Sequence, residues 1–361
     1  MQNETPMQAW ISWLSSLALV GGLISPAIAQ WLPEASQPST LTFPNDQPPP
    51  IPTPLPSERL RQEHQLPARD FRVPALQEDY TGSLWVGSWM GLTRIDPNTG
   101  RILSRISLPN YTLESLAQDR SGRIWGGTYQ GLVRVDPRSN EVTTYTFQLP
   151  SKRVLSLLVD HRGYLWAGTD RGLALISPDQ GLLMTTLQEL PGVSANALTL
   201  DLEGQLWVGT LEGLVRVDTA SAFIIGRMTN IPGGTVQALA TSPQGSIWVG
   251  TLNHLVEIDP INRRILRTFP NFKGRNIRSI RFARNGRVWV GTEQGLYNVE
   301  PESGEIIGQI PDLPSSEVIA LSPDTGNKVW VGTSEGLAWI SQTTGLVRPH
   351  LAFVRNPPLT W

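Results

Sequence analysis

Cysteine is absent from the 361 residues. Disulfides, zinc–cysteine centres and thiol nucleophiles are therefore excluded. The compartment is not, because a disulfide-free fold can live anywhere. An excess of either charge is also missing: 29 Lys and Arg stand against 31 Asp and Glu, a net charge of −2. A nucleic-acid binder would show a strong basic surplus. Charged residues make up only 17% of the chain, low for a soluble domain. Histidine is scarce, at His64, His161, His254 and His350. What is plentiful is turn-forming residues, with 33 Gly and 30 Pro, beside 40% hydrophobic residues, enough for a sizeable core.

The one long uncharged stretch is "AWISWLSSLALVGGLISPAIA", from Ala9 to Ala29. It ends in the small-x-small triplet Ala27-Ile28-Ala29, which reads as a signal peptide over 1–29 cleaved before Gln30. An uncleaved membrane anchor is the alternative, since about 20 uncharged residues can just span a bilayer. Residues 30–57 follow as a linker. Nine prolines fall between Pro33 and Pro56, a composition that favours extended polyproline II and builds no packed core.

From there a line is written seven times. "GRIWGGTYQGLVRVD" begins at Gly122, "GYLWAGTDRGLALIS" at Gly163 and "NKVWVGTSEGLAWIS" at Asn327. Trp85, Trp125, Trp166, Trp207, Trp248, Trp289 and Trp330 recur at steps of 40 or 41 residues. Such a period, with four short strands per unit, predicts a seven-bladed β-propeller of four-stranded antiparallel blades, an all-β fold over 58–353. The core repeats run over 71–353, with a tail at 354–361. The a–b turns carry Asp-x-x-Gly, as at Asp160…Gly163, where Asp caps the turn and Gly takes positive φ. Each tryptophan shares a strand face with the glycine two residues on. That glycine is expected to clear space beside the ring, so that the indole lies between blades. Ring closure has two candidates for the last outer strand: "ERLRQEHQLP" (58–67) and "LVRPHLAF" (346–353).

The line "GxLWVGTxxGLxRxD" resembles the two-component regulator propeller repeat, found in periplasmic sensor regions of hybrid histidine kinases. No kinase follows the repeats in this sequence, so the resemblance implies ligand- or glycan-like sensing by a free-standing module. The strand pattern is also similar to streptogramin (virginiamycin B) lyases, seven-bladed enzymes with a magnesium-assisted His/Glu site. In the repeat register His161 falls in an a–b turn, His64 and His350 on outer strands, and only His254 in a b–c loop. No general base is brought together for that chemistry. One carboxylate per Asp-x-x-Gly turn is too few for a calcium cage. No catalytic residue, metal site or cofactor is therefore expected.

Binding is the better class. The b–c and d–a loops gather at one end of a propeller, and there the sequence varies. Trp89, Met90, Tyr111 and Tyr129 are expected to form an aromatic and methionine cluster of the kind enriched at interfaces. Lys152, Arg153 and Arg171 give blade 3 a basic rim. Glu212, Glu293 and Glu335 make blades 4, 6 and 7 acidic, and His254 joins the same face. The expectation is an exported, monomeric, non-catalytic module. It would bind a protein, peptide or saccharide, or dock on a membrane sensor or complex as an accessory factor. A lyase- or hydrolase-like enzyme is the alternative.

Overall fold

A computed structural model of the protein describes residues 70–108, 111–145 and 148–354. The signal peptide, the linker, the 58–67 segment with His64, Asn110 and the tail beyond residue 354 lie outside the described residues. Short alternating segments between tight turns give 28 strands in seven four-stranded antiparallel sheets, each paired in chain order. In blade 3 they are a (Val154–Val159), b (Leu165–Thr169), c (Gly172–Ser177) and d (Leu182–Leu187). Strands b and c are buried throughout, while d is partly exposed. The apolar packing therefore lies between the middles of adjacent blades.

Each seam holds one apolar cluster built around one repeat indole. Trp85 packs on Leu116, Ile124, Val133 and Val135 of the next blade. Trp166 meets Leu206, Val208, Val215 and Val217 in the same way. All seven repeat tryptophans are buried, six of them to 1% exposure or less. Truncating such a ring to alanine costs roughly 3–5 kcal/mol.

A buried indole N–H needs an acceptor, and in blades 1 to 4 an aspartate of the a–b turn supplies it. Asp160 Oδ1 accepts from the backbone N–H groups of Arg162 and Tyr164, capping the turn. Its Oδ2 accepts the indole N–H of Trp166 at 3.1 Å. Asp79–Trp85, Asp119–Trp125 and Asp201–Trp207 repeat the bond at 2.9, 2.9 and 3.0 Å. The turn aspartate thus has two jobs, of which sequence reasoning found one. Blade 5 has Ser242 at that position, and there Trp248 leans on Phe269 and Phe282, at 4.4 and 5.4 Å between ring centroids. In blade 7 the longer turn offers the Thr325 carbonyl to Trp330 at 3.1 Å. Asn327 stands at φ 57 where the other turns use glycine.

The glycine after each tryptophan has a different purpose from the one expected. A Cβ on Gly209 would sit 2.5 Å from Val236 Cγ1, one on Gly250 2.5 Å from Ile277 Cγ2, and one on Gly332 2.2 Å from the Val73 carbonyl. Each of these neighbours belongs to the start of the next blade's inner strand. The glycine makes room for that strand and not for the ring, because the inner strands converge most closely at the channel.

The circle closes with no exchange of strands among the described residues. Val347–Pro349 pairs with strand c as the outer strand of blade 7, the place the C-terminal candidate was expected to take, while 58–67 lies outside the described residues. The chain turns at 351–353, short of the full strand expected, and Phe353 tucks into the last seam. Pro349 is tolerated because this strand is an edge. The seam between blades 7 and 1 has its own cluster around Trp330, with Leu84, Val86 and Ile95. The Val73 N–H bonds the Thr333 carbonyl at 3.0 Å, and Lys328 Nζ reaches the Pro97 and Asn98 carbonyls at 2.6 Å. His350 completes this seam: its Nε2–H donates to the Gly100 carbonyl of blade 1 at 2.8 Å.

The inner strands line a central channel. Leu76, Leu116, Leu157, Leu198, Leu239, Ile280 and Leu321, one from each blade, stand along it and join the apolar clusters of the seams.

Two stability outcomes follow from this packing. Asp201 is 2% exposed, and Arg216 also bonds its Oδ2, at 2.7 Å. Asp201→Ala therefore strands an indole N–H and takes from Arg216 one of its two carboxylate partners, the other being Glu203, and should cost about 2–3 kcal/mol by urea denaturation. Ser242→Ala, at the position where no carboxylate stands, should cost about 1 kcal/mol or less; equal losses would contradict the dual role. Burial holds the His350 imidazole below its ordinary value of 6.5, and Arg105 pushes the same way, against the raising effect of the bond to Gly100. Protonation would place an N–H on Nδ1, which is buried without a partner. The unfolded chain therefore takes up this proton first, and the seam loses stability as the pH falls below about 6.5. His350→Gln, which keeps a donor for Gly100, should flatten the decline in melting temperature between pH 7.5 and 5.5. An unchanged decline would remove His350 from that role.

Candidate functional site

The b–c tips stand on a braced turn. The hydroxyl of the buried threonine that ends strand b donates to the glycine carbonyl opening strand c. It also accepts the N–H of the second tip residue. Thr169, Gly172 and Arg171 show the pattern at 2.8 and 3.2 Å, as do Thr210, Gly213 and Glu212 at 3.0 and 3.2 Å. Every atom that positions the tip belongs to the repeat, so the tip side chains are free to differ. In blade 5 His254 takes the glycine's place, and its backbone makes both bonds with Thr251. Its ring Nδ1 lies 2.6 Å from Asn253 Oδ1.

The side chains of Lys152, Arg153, Arg171, Glu212, Glu293 and Glu335 are all exposed on this face. Glu293 accepts from Asn276, and Arg275 is drawn down onto the Tyr297 hydroxyl and ring. The aromatic cluster is less uniform than expected. Met90 and Tyr111 are partly buried and pack on the core clusters flanking blade 1. Trp89 is half-buried, edge-on to Phe71 at 5.5 Å. Tyr129 is 38% exposed, with the Arg153 guanidinium 4.9 Å above its ring.

Residues 70–72, which sequence reasoning passed over, link these groups. Arg72 makes a two-pronged bond to Asp70 at 2.7–3.0 Å and faces Glu114 at 3.7 Å. Burial pushes the Asp70 carboxyl up, but the bonds from Arg72 outweigh it and leave the group below its ordinary value. The Arg72 guanidinium is held above its ordinary value, first by Asp70, against burial, with Glu114 and Tyr129 adding to it. Asp70, Arg72, Tyr129 and Arg153 thus form a chain of contacts across blades 1 to 3. Nothing in the repeated line marks residues 70–72, because they stand ahead of its first Trp-x-Gly motif at Trp85.

Buried polar atoms that find no hydrogen-bond partner include several on this face: Trp89 Nε1, Asp170 Oδ1, Ser194 Oγ and Asn276 Oδ1. Such atoms are few in native proteins and call for a reason at each site. Among the described residues no three His, Asp or Glu side chains are grouped as metal ligands, and no helix is long and apolar enough to cross a membrane.

If this division between braced scaffold and free tip is right, Met90→Ala and Tyr111→Ala should each lower stability by about 1–3 kcal/mol. Tyr129→Ala should stay within about 0.5 kcal/mol. Thermal melts of the three variants check it, and a large loss for Tyr129→Ala would contradict it.

Residues 148–171 and 271–294 match the family model described as two component regulator propeller. Each match runs from a d–a loop through strands a and b to a b–c tip. No curated protein matches the chain significantly. Among solved structures, the extracellular domain of the putative hybrid two component system BT3049 from B. thetaiotaomicron is similar at 20% identity and TM-score 0.62. The match covers 73% of this chain and 39% of that one, so the chain spans well under half of that domain's length. Virginiamycin B lyase from Staphylococcus aureus is similar at 15% identity and TM-score 0.61, covering 74% and 93%. A streptogramin B lyase structure matches at 13% and 0.65, covering 79% and 95%. At these identities the likeness is one of fold. The chain is a seven-bladed β-propeller that carries two-component regulator propeller repeats.

Proposed function

We propose that the protein is an exported, non-catalytic sensing or recognition module that binds a protein, peptide or saccharide on its b–c/d–a loop face. One observation carries this reading. Buried polar atoms without partners gather on the same face as the exposed, variable tips. A partner with donors and acceptors would satisfy them, as interface cores do. Tyr129 with Arg153 offers an aromatic face beside a cation, suited to stacking on a sugar or a peptide side chain. Trp89 adds an indole donor. The basic rim of blade 3 and the acidic tips of blades 4, 6 and 7 would orient a polar partner. The repeat family and the similar extracellular sensor domain support sensing as the role. Export rests on the signal peptide read at residues 1–29, with 30–57 as a spacer.

The test is binding of the mature protein to arrays of saccharides and peptides, with wild type and Tyr129→Ala/Arg153→Ala side by side. A hit whose affinity falls at least about tenfold in the double variant, at unchanged melting temperature, is expected for this site. A hit bound equally by both proteins would move the site off blades 2 and 3. Turnover of a bound saccharide or peptide would contradict the non-catalytic reading.

A further inference from the structure

Blade 6 departs from its sisters at the a–b turn, the end of the propeller away from the loop face. Ala283 stands where blades 1 to 4 carry the turn aspartate. The backbone of the turn is the same: the Ala283 N–H bonds the Arg287 carbonyl at 2.8 Å, as Asp119 bonds Arg123 at 3.0 Å in blade 2. The other blades show which side chains meet at this corner. In blade 2, Asp119 Oδ2 accepts from the Trp125 indole at 2.9 Å and from Arg123 Nε at 3.0 Å. In blade 4, Asp201 Oδ2 accepts from the Trp207 indole at 3.0 Å and from Arg216 of strand c at 2.7 Å. The matching residues of blade 6 are Ala283, Arg287, Trp289 and Asn298. Asn298 pairs with Trp289 across strands b and c as Arg216 pairs with Trp207, and directly paired residues share a face.

At this corner the donors remain and the carboxylate does not. Among the described residues the Trp289 indole N–H has no acceptor and Arg287 makes no ion pair. Arg123, the counterpart of Arg287, has two carboxylates, Asp119 and Asp179; Ala283 and Thr343 take their places around Arg287. Asn298 is 9% exposed, and its Oδ1 is buried without a partner. Asn285 takes over one task of the aspartate. Its Oδ1 accepts the Arg287 backbone N–H at 3.1 Å, the bond that Asp119 Oδ1 makes in blade 2. The task of Oδ2 has no substitute in the chain among the described residues. Blades 5 and 7 also lack the aspartate, yet Glu257 pairs with Arg267 at the first and the Thr325 carbonyl serves Trp330 at the second. The corner of blade 6 is reached from solvent: Arg287 is exposed, and Trp289 is 8% exposed against 1% or less for the other six repeat indoles.

We propose that this corner binds a small free carboxylate, of the size of formate or acetate. One oxygen accepts from the Trp289 indole and the Arg287 guanidinium, as Asp119 Oδ2 does, and the Asn298 amide turns its NH2 to the other. An alanine methyl beside formate is an aspartate side chain with one bond cut, which sets the size. Bonds from a guanidinium to a carboxylate are among the strong ones, and their geometry favours a planar anion over a round one. Ligation firms the seam between blades 6 and 7, where Ala283 and Trp289 share a cluster with Val318, Val329 and Val331. The site is independent of the loop-face reading, with which it shares no residue.

NMR of the isotope-labelled mature protein tests it at the Trp289 indole N–H, assigned through Trp289→Phe. Formate, acetate, acetamide and chloride are titrated in turn. Formate and acetate should shift this resonance saturably and leave those of the other repeat indoles in place. Acetamide and chloride should bind at least about tenfold more weakly. Arg287→Gln should weaken formate at least about tenfold. Ala283→Asp, which supplies the carboxylate from the chain, should raise the melting temperature and abolish the response. No saturable shift at Trp289 in the wild type overturns the site, as does a response that survives Ala283→Asp or Arg287→Gln. Chloride or acetamide bound as tightly as formate overturns the carboxylate assignment.

Discussion

A tryptophan wedged between two sheets brings a large apolar surface and one N–H that water cannot reach. The rest of the propeller depends on meeting both demands at once. Where Asp79, Asp119, Asp160 and Asp201 stand, the carboxylate that caps the a–b turn also accepts the indole N–H. Blade spacing, turn shape and ring position are thereby one constraint. Arg94, Arg134 and Arg216 lie over the indoles of Trp85, Trp125 and Trp207 at 5.7–5.8 Å. Two of them, Arg94 and Arg216, also pair with the turn aspartate. Blade 5 has Ser242 in place of the aspartate and packs its indole against Phe269 and Phe282, and blade 7 offers the Thr325 carbonyl instead, so the residues around the ring can differ.

With every seam built alike, the seam between blades 7 and 1 needs no special latch. Trp330 packs into blade 1 as Trp85 packs into blade 2. Cations then stitch neighbouring turns: Arg123 to Asp179, Arg267 to the Pro301 and Glu302 carbonyls, Lys328 to those of Pro97 and Asn98. A scaffold held at its seams leaves two places without structural duty, the loop tips at one end and the channel within. The proposed recognition site lies at the first of these.

The blades were legible because period, indole and turn glycine repeat seven times, and repetition exposes a structural role. Trp85 to Trp330, the strand order and Asn327 in a left-handed turn all stand as read. Roles set by tertiary contacts were harder to see. The glycine's service to the next inner strand depends on a residue of the following blade, as at Gly209 against Val236. The second oxygen of the turn aspartate is taken by the indole of its own blade once the ring is folded back under the turn. On the loop face the exposed charges of blades 3, 4, 6 and 7 were legible from register alone. Met90 and Tyr111 were not, since a tip residue can fold back onto the core and composition does not say which will. Arg72 was missed because it stands ahead of the first blade's motif line, where no repeated residue type points to a role.

Hydrogen exchange at the indole nitrogens, followed by NMR, tests the central claim most directly. If the seams are locked by ring and carboxylate together, the indole N–H groups of Trp85, Trp125, Trp166 and Trp207 should exchange only through global unfolding. The rate should then match the slowest backbone amides. Exchange of these four within minutes under native conditions, as fast as an indole open to water, would contradict it.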